Sequence, residues 1–240
     1  MKKILKEVFL NYHRIKNYLT PSEFLRKTKL EIKIEEDLAE QTLKNFKEHF
    51  KNSLLFRDKW EIRKYAIKTA LLNDLNNDYF YLELGVFEGR GANFFSRFVK
   101  KLYAFDNFYE GLSEDWIGMH RPKGDMKLKK LPKLNSNVVP VVGMVEDTLG
   151  EFLEKNNPKI NFVHLDMVTY SPTKFALEKI KPYLTNGAIL IFNELYNFIG
   201  WQNGDYKALK EVFNDDEFEY KAFRINAKIC VIQLKNIKNL

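Results

Sequence analysis

Between Tyr79 and Asp106 the chain reads YFYLELGVFEGRGANFFSRFVKKLYAFD, and no other stretch so narrows what it can fold into. A run of aromatic, aliphatic and acidic residues, YFYLEL, enters a loop with glycines at Gly85, Gly89 and Gly91. A helix-compatible stretch follows, then a short apolar strand, LYAF, that ends in Asp106. Strand, glycine loop, helix, strand and carboxylate in that order describe half of a nucleotide-binding sheet. Gly85 can take backbone angles closed to other residues, and Gly89 and Gly91 let the chain approach a ligand closely. Asp106 follows Gly85 by 21 residues, a spacing at which a carboxylate can accept the hydroxyls of a ribose.

The glycines are spaced G-x-x-x-G-x-G, whereas a dinucleotide fingerprint reads G-x-G-x-x-G and sets a pyrophosphate on a helix N-terminus. Glu83 precedes the first glycine by two residues and Glu88 lies inside the loop. Carboxylates there repel a pyrophosphate but tolerate a sulfonium and an ammonium. The implied ligand is a nucleoside with a cationic tail. S-adenosylmethionine fits it, and a nicotinamide cofactor does not. The alternative for the loop alone is a purely structural β–α turn.

At 240 residues the chain can hold one well-buried α/β domain plus an N-terminal appendage. Apolar residues at 45% and charged residues at 30% are ordinary for a globular protein. The single cysteine, Cys230, lies in an apolar strand pattern, which excludes a disulfide framework and fits a reducing compartment. The basic start has no continuous apolar stretch behind it, so no secretory signal is read, and no run approaches a membrane span. A cytoplasmic protein is expected. The net charge of +7 comes from lysines scattered along the whole chain, which reads as solvated surface and argues against a nucleic-acid partner.

Residues 1–75 read as a helical extension. Leu5, Val8, Tyr12, Ile15 and Leu19 form one apolar face, suited to packing on its own domain, to a homodimer contact or to a membrane surface. Thr20-Pro21-Ser22 breaks it; further helices are expected over 36–50, with Leu43, Phe46 and Phe50 inward, and over 57–72. From residue 76 strands alternate with helices, which implies a mostly parallel sheet covered on both faces. Strands are expected at 79–84, 102–105, 138–143, 160–166 and 188–194. Pro140 places the third at a sheet edge. Thr148-x-x-Glu151 is read as a capping box, and Ser171-Pro172 as the cap and first residue of another helix. FEYKAFRI and AKICVIQL close the chain as an antiparallel hairpin. The longest break, 110–137, is either a substrate lid or a solvated loop. Trp116, His120 and Arg121 could reach a substrate from it, and its five lysines could favour a phosphorylated one.

In open α/β sheets the ligand lies outside the carboxyl ends of the strands. Those ends supply Glu83 with Gly85, Asp106, Gly143 to Asp147, Asp166, and Asn193 with Glu194. Carboxylates at these positions converge on one crevice, where anions repel unless a cation is bound.

Taken in order, ELGVFEGRG, AFDNFYEGL, GMVEDTL, HLDMVTYSPTKFALEKIKPYLTNGAILIFNE and GWQNGDYKALKEVF resemble a class I S-adenosylmethionine-dependent methyltransferase of the macrocin O-methyltransferase group. The resemblance covers about residues 79–234. It implies a Rossmann-like, seven-stranded, mostly parallel sheet of order 3-2-1-4-5-7-6 with strand 7 antiparallel. It also implies Glu83, Gly85 and Gly89 at the cofactor's amino-acid end, Asp106 at its ribose and Asp147 near its adenine. Relatives hold a divalent metal with a D-x-D-x-Y segment and a D-D or D-E pair. Here these read Asp166-Met167-Val168-Thr169-Tyr170 and Asn193-Glu194, so Asp166, Asn193 and Glu194 are the residues left for Mg²⁺. Asp166, Glu194 and His164 are the candidates for removing the acceptor's proton; inside its strand, His164 reads also as a core imidazole. The implied activity is O-methylation of a small-molecule hydroxyl, on a sugar or sugar nucleotide. The other readings are a non-catalytic cofactor-binding subunit with a degenerate metal site, and a nucleic-acid methyltransferase. The second lacks that class's D/N-P-P-Y/F segment.

Overall fold

The computed structural model describes residues 27–237. The chain divides between Lys44 and Asn45 into two compact units, and the cut falls inside helix α1 (Lys29–Lys51). The expected apolar face from Leu5 to Leu19 and the break at Thr20-Pro21-Ser22 lie outside the described residues. α1 starts seven residues earlier than its apolar spacing suggests. Thr28 and Glu31 form a reciprocal cap there, Thr28 Oγ1 accepting from Glu31 N at 3.2 Å and Glu31 Oε2 from Thr28 N at 2.6 Å. Leu43, expected inward, is 52% exposed, whereas Phe46 is buried.

The second unit is one eight-stranded sheet with helices on its faces. Its elements are β1 (Leu54–Phe56), α2 (Lys59–Leu72), β2 (Phe80–Leu84), α3 (Arg90–Phe95), β3 (Leu102–Asp106), β4 (Val138–Val142), α4 (Val145–Asn156), β5 (Ile160–Leu165), α5 (Tyr170–Ile180), β6 (Leu184–Phe192), α6 (Asp205–Val212), β7 (Phe218–Arg224) and β8 (Cys230–Leu234). The spatial order is β1-β7-β8-β6-β5-β2-β3-β4. Only β8 runs against its neighbours, pairing antiparallel with β6 and β7. Seven of these strands reproduce the expected order. The eighth corrects the count: β1 adds to the outer side of β7 in parallel, Leu54 opposite Ala222. Three residues are too few to show an alternating pattern, so residues 54–56 carried no strand signal.

β4, with Pro140 opposite Ala104, is the edge strand that the proline requires. β5 is buried along all six residues, as a central parallel strand covered on both faces must be. Its two polar side chains therefore need internal partners. Asn161 Nδ2 donates to the Ala70 carbonyl at 2.7 Å, and His164 meets Glu83. α2 is capped by Asp58, whose side chain accepts from Trp60 N and Glu61 N. Its inner face carries Ile62, Ala66, Ile67 and Ala70, and with them Arg63.

Two helix starts differ from the sequence reading. α4 opens at Val145 behind an extended Met144, and Thr148 lies inside it, its hydroxyl donating to the Met144 carbonyl at 2.9 Å. That local bond satisfies the threonine without a capping role. α5 opens at Tyr170 with Thr169 as N-cap, two residues before Ser171, so that Ser171-Pro172 lie inside its first turn. Among the described residues no helix is long and apolar enough to cross a membrane.

Phe46 is packed among five rings, those of Tyr196, Trp201, Tyr206, Tyr220 and Phe223, with centroids 5.3–5.7 Å away. Its removal leaves a hole that rigid rings cannot fill. Phe46→Ala is expected to lower stability by about 3–5 kcal/mol, read as a shift of the urea midpoint at unchanged slope.

Candidate functional site

The carboxyl ends of the parallel strands are laced together one residue beyond the ladder. Gly143 N donates to Asp106 O at 3.1 Å, Gly85 N to Phe105 O at 2.9 Å, Asp166 N to Leu84 O at 2.8 Å and Asn193 N to Leu165 O at 2.9 Å. These four bonds fix five strand ends at one level. Above them opens a cleft of about 360 Å³ whose wall includes Glu83, Gly85, Asp106, Asp166, Asn193 and Glu194. The crevice expected at the switch point of an open α/β sheet is thus present.

Two glycines of the loop are sterically required. Gly85 has φ +87°, and a Cβ on it would overlap the Asp166 carbonyl oxygen. Gly91, in the first turn of α3, lies against Glu83, whose Oε1 occupies the place of a Cβ. Asp106 holds the loop from the other side. Its Oδ2 accepts from Val86 N at 2.7 Å and Phe87 N at 2.8 Å, and its Oδ1 from Phe108 N at 2.6 Å. Three of its roughly four lone-pair positions are therefore taken by backbone. Asp106 reaches the cleft as expected, but the larger part of its bonding capacity serves the loop.

Glu83 is 1% exposed and its Oε1 lies 2.8 Å from His164 Nδ1. The other imidazole nitrogen, Nε2, stands 3.4 Å from Arg63 Nη2. A guanidinium only donates, so Nε2 accepts and the proton resides on Nδ1, directed at Glu83. Burial, with the Arg63 charge behind it, pushes the imidazole well below its ordinary pKa, so His164 is neutral. Burial likewise pushes the Glu83 carboxyl well up. Its Oε2 is buried with no partner. His164, a candidate base in the sequence, is fully buried and absent from the cleft wall. It orients Glu83 and does not face a substrate.

Asp166 and Asn193 meet across β5 and β6. Asn193 Nδ2 donates to Asp166 Oδ1 at 2.9 Å, while Asn193 Oδ1 accepts from Arg63 Nη2 at 2.9 Å. Asp166 Oδ2 lies 3.8 Å from the same guanidinium, and 27% of the Asp166 side chain remains exposed. Burial pushes its pKa up to about 7, against the pull of Arg63 and with a push from Glu194. A carboxyl so placed can take a proton near neutral pH. Glu194 is raised by burial and held by Lys228, whose Nζ is 2.9 Å away. That ammonium also stands about 5 Å from the rings of Trp116 and Phe198.

This donor set does not fit a divalent metal. Asn193 Oδ1 receives Arg63, Asp166 Oδ1 receives the Asn193 amide, and Glu194 is ion-paired with Lys228. Val168, in the D-x-D-x-Y segment, is 4% exposed and adds only apolar surface. It sits at φ +63°, a left-handed conformation that Asn and Asp tolerate better than a β-branched residue. Among the described residues no cluster of three or more His, Cys, Asp or Glu is arranged to hold an ion.

Several expected contacts fall elsewhere. Asp147 is exposed on α4 outside the cleft, where its neighbour Glu146 lines the wall instead. Gly89 shapes the turn as the left-handed cap of α3 without lining the cleft. In the segment 110–137, Trp116 reaches the cleft. His120 and Arg121 are exposed outside it, as are Lys123, Lys127, Lys129, Lys130 and Lys133. Arg63, Trp60 and Lys228 were missed. Arg63 was legible only as a charge on the apolar face of a helix, since its partners are 101 and 130 residues away.

Residues 82–195 match the family model described as a methyltransferase domain. That segment runs from within β2 to just past β6 and carries most of the cleft wall. The solved structures similar to the chain include CalS11, the calicheamicin methyltransferase, at 20% identity over 87% of this chain and 94% of that one, with a TM-score of 0.60. An apo form of the same enzyme, described as a TDP-rhamnose 3'-O-methyltransferase, matches at 19% identity over 89% and 98%, with a TM-score of 0.55. The O-methyltransferase NovP matches at 15% identity over 74% and 80%, with a TM-score of 0.53. A search of curated proteins found no match.

The Gly91–Glu83 contact predicts an inverted sign. Gly→Ala inside a helix ordinarily stabilises by about 1 kcal/mol. Here Glu83 is locked by His164 and cannot retreat, so Gly91→Ala is expected to destabilise by about 1–3 kcal/mol. Equilibrium denaturation decides; a rise in stability would refute the packing.

Proposed function

We propose that the chain transfers a methyl group from S-adenosylmethionine to a hydroxyl of a small molecule, with a sugar or sugar nucleotide as acceptor. The observation that carries it is Asp166, a carboxyl able to accept a proton near neutrality, set at the strand ends beside the glycine loop. The sugar acceptor draws support from the similarity to CalS11.

The residues present fit the cofactor. Glu83 Oε2 is an orphaned buried oxygen in the wall of the cleft, and a cationic group is what relieves such an atom. Glu83 and the backbone at Gly85 would hold the amino-acid end, and the remaining lone pair of Asp106 the ribose. Glu146 and Met144, which line the cleft at the start of α4, would take the adenine contact that the resemblance implies for Asp147. When bound, S-adenosylmethionine supplies an electrophilic methyl carbon whose sulfur keeps the electron pair of the broken bond. The chain must align the acceptor oxygen with that carbon, which can remove several kcal/mol from the barrier. Asp166 takes the hydroxyl proton as the oxygen attacks. Trp116, with Ser113 and Met126, brings the 110–137 segment to the mouth of the cleft, in the position of a lid over the acceptor.

Calorimetric titration with S-adenosylhomocysteine, beside a nicotinamide dinucleotide control, tests the cofactor: micromolar binding of the first alone is expected, and absence of binding ends the reading. Turnover should fall as pH drops through about 7, because protonation of Asp166 removes the base. Asp166→Asn should lower kcat by about 100- to 10,000-fold and flatten that profile, while leaving S-adenosylhomocysteine binding in place.

A further inference from the structure

We propose that Arg63 is the buried cation of this cleft and takes the electrostatic place of a divalent metal, so that the chain transfers its methyl group without one. The chemistry rests on the methyltransferase reading above; the charge balance rests on geometry alone. Glu83, Asp106, Asp166 and Glu194 all line one cleft. Carboxyl groups gathered in a partly buried site require a compensating cation. Arg63 supplies it from the inner face of α2, with its side chain only 8% exposed. One nitrogen, Nη2, stands 2.9 Å from Asn193 Oδ1, 3.4 Å from His164 Nε2 and 3.8 Å from Asp166 Oδ2.

A metal would have to compete with this arrangement at every donor. Mg²⁺ demands near-octahedral oxygen geometry and is usually bound through one or two carboxylates and several waters. The amide oxygen of Asn193 is turned to the guanidinium, and the amide nitrogen caps Asp166. Glu194 is neutralised separately by Lys228. Arginine cannot vacate by losing a proton, because its pKa lies above any working pH. The swap of Asp for Asn in the 193–194 pair thus belongs with the arginine: an anion there would face no unmet positive charge, whereas an amide bridges guanidinium and carboxylate.

Arg63 also carries a donor for the reaction. Its Nε is buried without a partner, in a side chain that lines the cleft. An orphan donor in such a wall is costly unless a ligand satisfies it. As Asp166 accepts the hydroxyl proton and the oxygen attacks, the Arg63 charge behind Asp166 stabilises the partial negative charge that develops on that oxygen, the task a metal ion performs elsewhere.

Mn²⁺ is the probe, with binding to the full chain read by electron paramagnetic resonance. The wild type is expected to retain no Mn²⁺ below millimolar concentration, with or without S-adenosylhomocysteine, and EDTA is expected to change turnover by less than twofold. Stoichiometric Mn²⁺ binding at micromolar concentration, or a tenfold loss in EDTA, would overturn the proposal. Arg63→Ala should gain Mn²⁺ affinity at least tenfold, while Arg63→Lys, which keeps the charge, should not. A folded Arg63→Ala that gains none also overturns it. Should that variant fail to fold, the wild-type arms decide alone. Failure of S-adenosylhomocysteine to bind would sink the methyltransferase reading only, since the Mn²⁺ titration reads the charge balance directly.

Discussion

A guanidinium buried beside converging carboxyl groups is the constraint from which the rest of the site follows. Arg63 faces the cleft because α2 lays its inner face on the sheet. Once there, it fixes the tautomer of His164, and the imidazole in turn orients Glu83. It also fixes the flip of the Asn193 amide, and the amide then holds one oxygen of Asp166. Removing one partner from a buried charge network is costly, typically about 3–5 kcal/mol, because the remaining charges lose their compensation. The charged residues of the cleft therefore behave as a unit.

The fold was largely legible in the sequence, for reasons that are local. Glycine spacing marked the first β–α turn, Pro140 marked the edge of the sheet, and two apolar alternating runs at the end of the chain marked the hairpin. The site was legible where it sits on strand ends, as with Glu83, Asp106 and Asp166. It was not legible where it depends on contacts between distant elements. Arg63 looks like one more charge among 39 basic residues, and only the sheet shows that it turns inward. Lys228 precedes β8 by two residues and reaches Glu194, two residues past the end of the neighbouring β6. Asp147 and His164 lie off the cleft wall for a simpler reason: a helix or strand position sets which way a side chain points, and the motif alone does not say.

Some of the chain's backbone strain lies beside the site. Phe87, Phe108 and Val168 all adopt positive φ, at +48°, +52° and +63°. Such conformations cost about 1–3 kcal/mol each. Two of the three are offset directly, because the amides of Phe87 and Phe108 are bound by Asp106, and hydrogen bonds to a charged group contribute about 1.5–3 kcal/mol. Asp106 is thus a keystone of the loop as well as a wall of the cleft. Val168 has no such compensation beyond its burial.

The eighth strand has a bearing on how the protein is made. β1 pairs with β7, Leu54 opposite Ala222, and the core cluster joins Ile62 and Ala66 of α2 to Ala222 and Val231 near the other end of the chain. β6 finds its second neighbour only in β8, at Cys230 and beyond. Contacts of such sequence separation form slowly, and exposed strand edges invite wrong pairing while they wait. On the ribosome, the growing chain must therefore carry an open edge on β6, and a gap beside β1, until residues 218–234 have emerged.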